Sequence, residues 1–254
     1  MPEGPSIVIL KELVHDLHLE NTEITGVAGN TTTIDKERLL HQKVKAFKSW
    51  GKHFLVCFET FTLRIHLMLF GSYRINERKD TPVRLSLVFN NAELNFYTCS
   101  VKIMEGTAEE LYDWSTDVLS DQWDAKAAVK KLKLKPTALV CDLLLDQNIF
   151  SGVGNIIKNE VLYRIKVHPL SIPASLPATR LNMLVKEARQ YSFDFLEWKK
   201  AFVLRQHWLV YNKSKCPLGH PITRQYLGKT NRRTFFCEQC QKLYTDSPDE
   251  TKLF

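Results

Sequence analysis

The sequence predicts a two-domain α+β protein. Three observations carry that reading: one amphipathic helix at the N-terminus, a series of short alternating strands up to about residue 105, and a helical second half that ends in clustered metal-ligating residues. A chain of 254 residues is long enough for two domains. With 44% hydrophobic and 25% charged residues, and neither repeats nor low-complexity tracts, the composition is globular. No apolar run approaches the roughly 20 residues that a membrane span needs. The start also lacks a basic stretch followed by an apolar one. The expectation is therefore an intracellular protein with no membrane association.

The first helix is read from PSIVILKELVHDLHL, residues 5–19, where Ile9, Leu10, Leu13, Val14 and Leu17 fall on one stripe. Pro5 suits the first turn, where its missing N–H costs nothing. Pro2 and Glu3 then precede a helix N-terminus, a place that favours an anion. Loss of Met1 would leave Pro2 with a secondary amine, a potential nucleophile beside a carboxylate. On these residues alone Glu3 is equally an ordinary acid at a helix start.

Strands are expected at TTTID (31–35), KVKAFKSW (43–50), HFLVCFET (53–60), FTLRIHLML (61–69), VRLSLVF (83–89) and ELNFYTC (93–99). Asn90-Asn91 reads as a hairpin turn between the last two. Together they suggest an antiparallel sandwich or barrel carrying the N-terminal helix. Residues 107–135 are mixed and charged, ending in KAAVKKLKLKP, and mark an interdomain boundary. Beyond them helices are expected at 137–148, 155–166 and 176–201. SGVGN (151–155) separates the first two, with Asn155 as the N-cap of the second. Two helices joined this way can present an N-terminus to a phosphate, or simply pack together.

Net charge is +7, and its distribution is uneven. Between Lys199 and Lys242 there are ten Lys and Arg against one acid, Glu238, an excess larger than that of the whole chain. That favours a polyanionic partner. Of six cysteines, Cys57, Cys99 and Cys141 are scattered in apolar contexts and read as core thiols. The remainder, with His220, form Cys216-x3-His220 and, after sixteen intervening residues, Cys237-x2-Cys240. Two short clusters of such ligands can close a tetrahedron on Zn²⁺ and staple a small hairpin. With four protein ligands the site would be structural, and Arg224, Lys229, Arg232 and Arg233 make the hairpin a basic finger.

MPEGP at the start, Lys52 in SWGKHFLV, the segment DQNIFSGVGNIIKNEVLYRIKVHP and a terminal finger containing NRRTFFCEQCQ occur in one order. Taken together they resemble the formamidopyrimidine-DNA glycosylase / endonuclease VIII family, endonuclease VIII-like branch. The resemblance runs from residue 2 to about 241. It implies an N-terminal catalytic β-sandwich domain with a long N-terminal helix (1–115), a linker (116–135), a helix–two-turn–helix DNA-binding domain (136–212) and a zinc-finger β-hairpin (213–254).

It further implies that Pro2 attacks C1′ of a damaged nucleotide as an amine nucleophile, that Glu3 moves protons, and that Lys52 contacts phosphate and donates a proton. Asn155 and Arg232 would pinch the DNA backbone around a flipped nucleotide. Met68, Leu69 and Phe70, in HLMLFG, would fill the space left in the stack; read without the family, the same run is an apolar strand end in the core. The implied activity is a bifunctional DNA glycosylase/AP lyase of base excision repair, ending in β,δ-elimination. Structural zinc is the implied cofactor, and the protein is expected to be a cytoplasmic or nucleoid monomer. Damaged double-stranded DNA is the expected partner, with single-stranded or bubble DNA as further candidates. Only about a dozen residues (202–215) separate the last helix from the finger, which favours oxidised pyrimidines. Two positions depart from the pattern: Ser6 stands where the family often has a second glutamate, and His220 replaces a cysteine. A damage-binding protein without turnover on the same scaffold is the alternative, and a generic zinc-finger binder a remoter one.

Overall fold

The computed structural model describes residues 2–245. Its elements in chain order are helix α1 (Gly4–His15), strands β1 (Gly26–Ala28), β2 (Ala46–Trp50), β3 (His53–Cys57), β4 (Phe61–His66), β5 (Ser72–Ile75), β6 (Leu85–Val88), β7 (Glu93–Tyr97) and β8 (Ser100–Glu105), then helices α2 (Ala108–Leu111), α3 (Ala125–Lys133), α4 (Val140–Leu143), α5 (Asn155–Arg164) and α6 (Ala178–Lys200), and the hairpin β9 (Thr223–Leu227) and β10 (Arg232–Phe236). The chain divides into two units between Trp114 and Ser115. No helix among the described residues is long and apolar enough to cross a membrane.

In the first unit two four-stranded antiparallel sheets, ordered β1-β6-β7-β5 and β2-β3-β4-β8, face each other. Phe54, Val56, Leu63 and Ile65 of one sheet and Leu85, Leu87, Leu94 and Phe96 of the other share a core with Ile7, Leu10 and Val14 of α1. The helical stripe therefore differs from the expected one. Ile7 is buried in it, whereas Leu13 is 42% exposed and Ile9 only half-buried. The helix starts at Gly4, and its first turn is itself buried, which brings Ile7 onto the packed face. Asn90-Asn91 does make the β6–β7 turn, with the Phe89 N–H donating to the Ala92 carbonyl at 2.8 Å.

The expected strand at 31–35 is absent. There the threonine hydroxyls find local partners: Thr31 and Thr33 bond each other at 3.1 Å, and Thr33 Oγ1 donates to the Val101 carbonyl at 2.9 Å. Side chains of this kind compete with ladder hydrogen bonds. Gly29, at φ +118°, starts that loop, and a Cβ there would meet the Arg84 carbonyl oxygen at 2.6 Å. Strands β1, β5 and β8 were not anticipated as separate elements.

In the second unit the segment expected as a linker holds α3, capped by Asp124, whose carboxylate accepts from the Lys126 and Ala127 N–H groups. Ala128 and Leu132 of α3 are buried in a core with Leu181, Leu184, Val185 and Ala188 of α6. The helix expected at 137–148 stops after Leu143. Beyond it the Asp146 carboxylate takes the Asn148 N–H at 3.0 Å, and the Gln147 amide bonds the Leu145 and Val153 carbonyls, giving the backbone non-helical partners. Gly154, not Asn155, is the N-cap of α5. Cys57, Cys99 and Cys141 are buried, and burial pushes each thiol up to about 11, which keeps them as unreactive core residues.

The outer face of the second sheet carries a cluster of aromatic rings, two of them imidazoles. His53 sits within 5.1 Å of His66, 5.6 Å of Trp50 and 5.9 Å of Tyr112, between ring centroids. Burial, with the nearby His66, Arg64 and Lys52 charges, pushes His53 down to about 3. The folded protein therefore holds this ring neutral where an unfolded chain would protonate it, below about pH 6.5. The unfolded state binds more protons across that window, so stability should fall as pH drops from about 6.5 towards 3. In urea unfolding, the loss of midpoint between about pH 7.5 and about pH 5 should be smaller for His53→Phe than for the parent. An unchanged loss would place the titration elsewhere.

Candidate functional site

The start of the first unit is built around a buried carboxylate. Glu3 is 0% exposed and is the N-cap of α1, while Pro2 beside it is half-buried. Glu3 and Ser6 form a reciprocal capping box: the Glu3 side chain faces the Ser6 N–H, and Ser6 Oγ accepts from the Glu3 N–H at 3.5 Å. Ser6 thus has a defined place here, and its small size suits a first turn in which Gly4 and Pro5 are also buried.

Lys52 lies in the two-residue β2–β3 turn after Gly51, whose φ is +51°. The register pairs Trp50 with His53, His53 with His66 and His66 with Ser100. That places the Lys52 turn at the same end of the sheet as the loop leaving β4. The loop is tight: the Gly71 N–H donates to the Leu67 carbonyl at 2.7 Å, and a Cβ at Gly71 would meet that oxygen at 2.1 Å. Leu67 is buried and anchors it, while Met68, Leu69 and Phe70 are 52%, 41% and 79% exposed. The alternative of an apolar strand end in the core does not hold for these three. Three adjacent exposed apolar side chains are unusual on a protein surface.

In the second unit α5 is buried almost throughout, its polar residues included. Asn155 Nδ2 donates to the Arg233 carbonyl at 2.8 Å, Lys158 Nζ donates to Thr234 Oγ1 at 2.8 Å, and Asn159 Oδ1 accepts the Phe235 N–H at 3.0 Å. One helix face thereby grips three consecutive residues of β10. Arg232, the next residue towards the turn, is exposed, and Asn155 bonds the backbone of its neighbour Arg233. Glu160 holds the segment ahead of the finger, its carboxylate accepting the N–H groups of Leu209, Val210 and Tyr211 at 2.7–3.0 Å. Burial pushes that carboxyl up, and these hydrogen bonds act in the opposite direction.

The hairpin tip is fixed as well. Gly228, at φ +72°, leaves room for Asp142, whose carboxylate accepts the Lys229 N–H at 3.0 Å. Asp142, Lys158, Asn159 and Glu160 were not anticipated. The available signal was a helix, NIIKNEVLYR, whose polar residues interrupt any apolar stripe.

Cys216, His220, Cys237 and Cys240 place their ligand atoms within 4.8 Å of one another. Cys216 and Cys240 sulfurs are 3.8 Å apart, and His220 Nδ1 is 3.2 Å from Cys240 Sγ. Thiolates bound to zinc at about 2.3 Å in a tetrahedron lie about 3.8 Å apart, so the group fits a metal such as zinc. The x3 spacing to His220 is accommodated by a turn in which the Gly219 N–H donates to the Cys216 carbonyl at 2.9 Å. Gln241 supports the second cluster by accepting the Cys237 N–H at 2.8 Å.

The formamidopyrimidine-DNA glycosylase N-terminal domain family matches residues 1–99, and the formamidopyrimidine-DNA glycosylase H2TH domain family matches residues 115–198. The chain belongs to the formamidopyrimidine-DNA glycosylase / endonuclease VIII family. Endonuclease 8-like 2 of Bos taurus is 36% identical over 205 residues, covering 74% of this chain and 61% of that protein. The Homo sapiens Endonuclease 8-like 2 is 35% identical over 75% of this chain and 60% of its own length. Endonuclease 8-like 3 of Xenopus laevis is 32% identical over 80% of this chain and 35% of its own length. The chain thus spans about three fifths of the length of the Endonuclease 8-like 2 proteins. Among solved structures, a viral DNA glycosylase superposes with a TM-score of 0.81 at 22% identity over 94% of this chain and all of that one. The Lactococcus lactis Fpg bound to abasic-site DNA does so at 0.81 and 18%, over 94% of this chain and 99% of that one. At these identities the likeness establishes the shared two-domain fold.

Loaded with zinc, the purified protein should carry one ion per chain by native mass spectrometry, and Cys240→Ser should lose it. Chelation should also disorder β9 and β10, seen as loss of their amide protection in hydrogen exchange, because the hairpin has only a small satellite core of its own. Retained protection after metal removal would make α5 alone sufficient to hold the finger.

Proposed function

We propose that the chain is a bifunctional DNA glycosylase and AP lyase that removes oxidised bases, pyrimidines preferred, from damaged double-stranded DNA, with single-stranded or bubble DNA as further candidate substrates. The observation that carries this reading is the fully buried Glu3 carboxylate at the N-cap of α1, directly beside Pro2. A buried carboxylate needs a reason to be there, and proton handling next to an N-terminal amine supplies one.

Once Met1, which lies outside the described residues, is removed, Pro2 bears a secondary amine. An α-amine titrates at about 7.7–8.0, so part of it is nucleophilic at neutral pH. Its lone pair attacks C1′, the C1′–N glycosidic bond breaks, and the departing base takes up a proton. Opening of the sugar ring gives an iminium between Pro2 and C1′. Glu3 exchanges protons with the opening sugar, and abstraction of a proton at C2′ then expels the 3′ phosphate; a second elimination expels the 5′ phosphate. Lys52, on its turn beside the exposed loop, contacts a phosphate and donates a proton. Asn155 and Arg232 pinch the backbone, and Met68, Leu69 and Phe70 enter the duplex to hold the nucleotide out. Zinc bound by Cys216, His220, Cys237 and Cys240 is structural and keeps the finger folded. The short, Glu160-pinned segment from 202 to 215 supports the preference for oxidised pyrimidines. In this reading the protein works as an intracellular monomer.

Borohydride trapping on a duplex with one abasic site tests the chemistry. The covalent adduct should map to the N-terminal peptide with Met1 gone. Pro2→Thr should abolish it while binding to abasic DNA stays within about tenfold, since the nucleophile contributes little to ground-state affinity. Tight binding by the Met1-free parent with no adduct would instead support a damage-binding protein. Arg232→Ala should weaken binding and flatten the dependence of log affinity on log salt by about one unit, the signature of one lost phosphate contact. An unchanged slope would remove Arg232 from the backbone.

A further inference from the structure

A basic pocket lies beside the finger, on the face of β10 that Arg232 does not occupy. It has a volume of about 360 Å³ and is lined by Arg205, Trp208, Tyr211, Asn212, Arg233 and Phe235. Successive side chains of a strand alternate between faces. Arg233 accordingly turns to the side of Phe235, with its guanidinium 5.4 Å from that ring, and away from Arg232.

The pocket holds many donors and few competing acceptors. No carboxylate lies in ion-pair range of the Arg205 or Arg233 guanidinium among the described residues. The indole N–H of Trp208 is buried and lacks a hydrogen-bond partner among the described residues. A buried donor left unpaired costs free energy, so such a group calls for a ligand atom or water. Asn212 adds an exposed amide at the rim. The walls are also rigid. Glu160 fixes the backbone of residues 209–211, and Trp208, Tyr211 and Phe235 pack in series with ring centroids 5.0 Å apart at each step.

Two arginines and an asparagine lining a small cavity, with the unpartnered Trp208 indole in its wall, match the oxygens of a phosphate group. We propose that this pocket is a phosphate-binding site, taking a phosphate carried by a nucleic-acid strand or by a free nucleotide. It is separate from the positions that Asn155 and Arg232 hold, and it does not depend on the catalytic reading: a protein without turnover would bind phosphate here equally.

The test follows the Trp208 indole N–H resonance by ¹H–¹⁵N NMR, assigned by its absence in Trp208→Phe. Titration with inorganic phosphate and with a 2′-deoxynucleoside 5′-monophosphate should move it downfield and saturably. The double variant Arg205→Met, Arg233→Met should weaken binding by at least about tenfold, the loss expected for charge-assisted hydrogen bonds. Lys199→Met, which removes a cation outside the pocket, should leave it unchanged. Trinucleotides with and without a 5′ phosphate identify the source: tighter binding of the phosphorylated form assigns a strand end, and equal binding of both assigns the backbone. A mononucleotide binding as tightly as either assigns a free nucleotide. The proposal is overturned if an unphosphorylated nucleoside moves the resonance equally, if Lys199→Met matches the double variant, or if the resonance stays still. Since no step of the assay requires base excision, failure here would leave the borohydride result untouched, and the reverse holds as well.

Discussion

The second unit depends on one constraint: α5 buries four polar side chains, and each needs a partner, which all of them find in part; only the Asn155 amide oxygen is left without one among the described residues. Asn155, Lys158, Asn159 and Glu160 are each less than a tenth exposed. An unpaired polar group in such a place costs about 1–3 kcal/mol, and more if charged. Three of the four find their partners on consecutive residues of β10, and the fourth on consecutive N–H groups of the segment leading to the finger. The helix and the hairpin are therefore locked in register. The placement of Arg233 against Phe235, and of the pocket that both of them line, follows from it. The metal group sits at the far end of the same hairpin and closes its base, while Asp142 holds the tip.

The first unit shows the same principle on a smaller scale. Its sandwich core is ordinary, built from inward-facing residues of two antiparallel sheets and one helix. What stands out is a carboxylate buried where a helix begins, and three apolar side chains held in the open by a loop that tolerates only glycine at position 71. Polar groups inside and apolar groups outside are the observations that carry information about function.

The two departures from the family's usual residues are both absorbed locally. Ser6 completes the capping box with Glu3, so the helix start is satisfied without a second acid. His220 reaches the metal group through its own turn, with Nδ1 close to Cys240. In each case a neighbouring residue or turn supplies the geometry that the substitution requires, and the rest of the fold need not shift.

Much of this protein was legible in its residues. The Cys–His spacing, the strand-rich first half, the Asn90-Asn91 turn and the order of the motifs depend on local chemistry, because a turn, a helix cap or a ligand pair is formed by residues near each other in the chain. The limits were also local. Thr31–Asp35 has strand composition, yet its hydroxyls bond elsewhere, and residues 137–148 have helical periodicity but lose it to Asp146 and Gln147. What only the tertiary structure decided are contacts spanning from about fifty to nearly ninety positions: Lys158 with Thr234, Glu160 with residues 209–211, Asp142 with the finger tip. A buried lysine or glutamate in NIIKNEVLYR is indistinguishable in sequence from a solvated one. Its burial is set by the element that arrives opposite it, and no short-range pattern encodes that arrival.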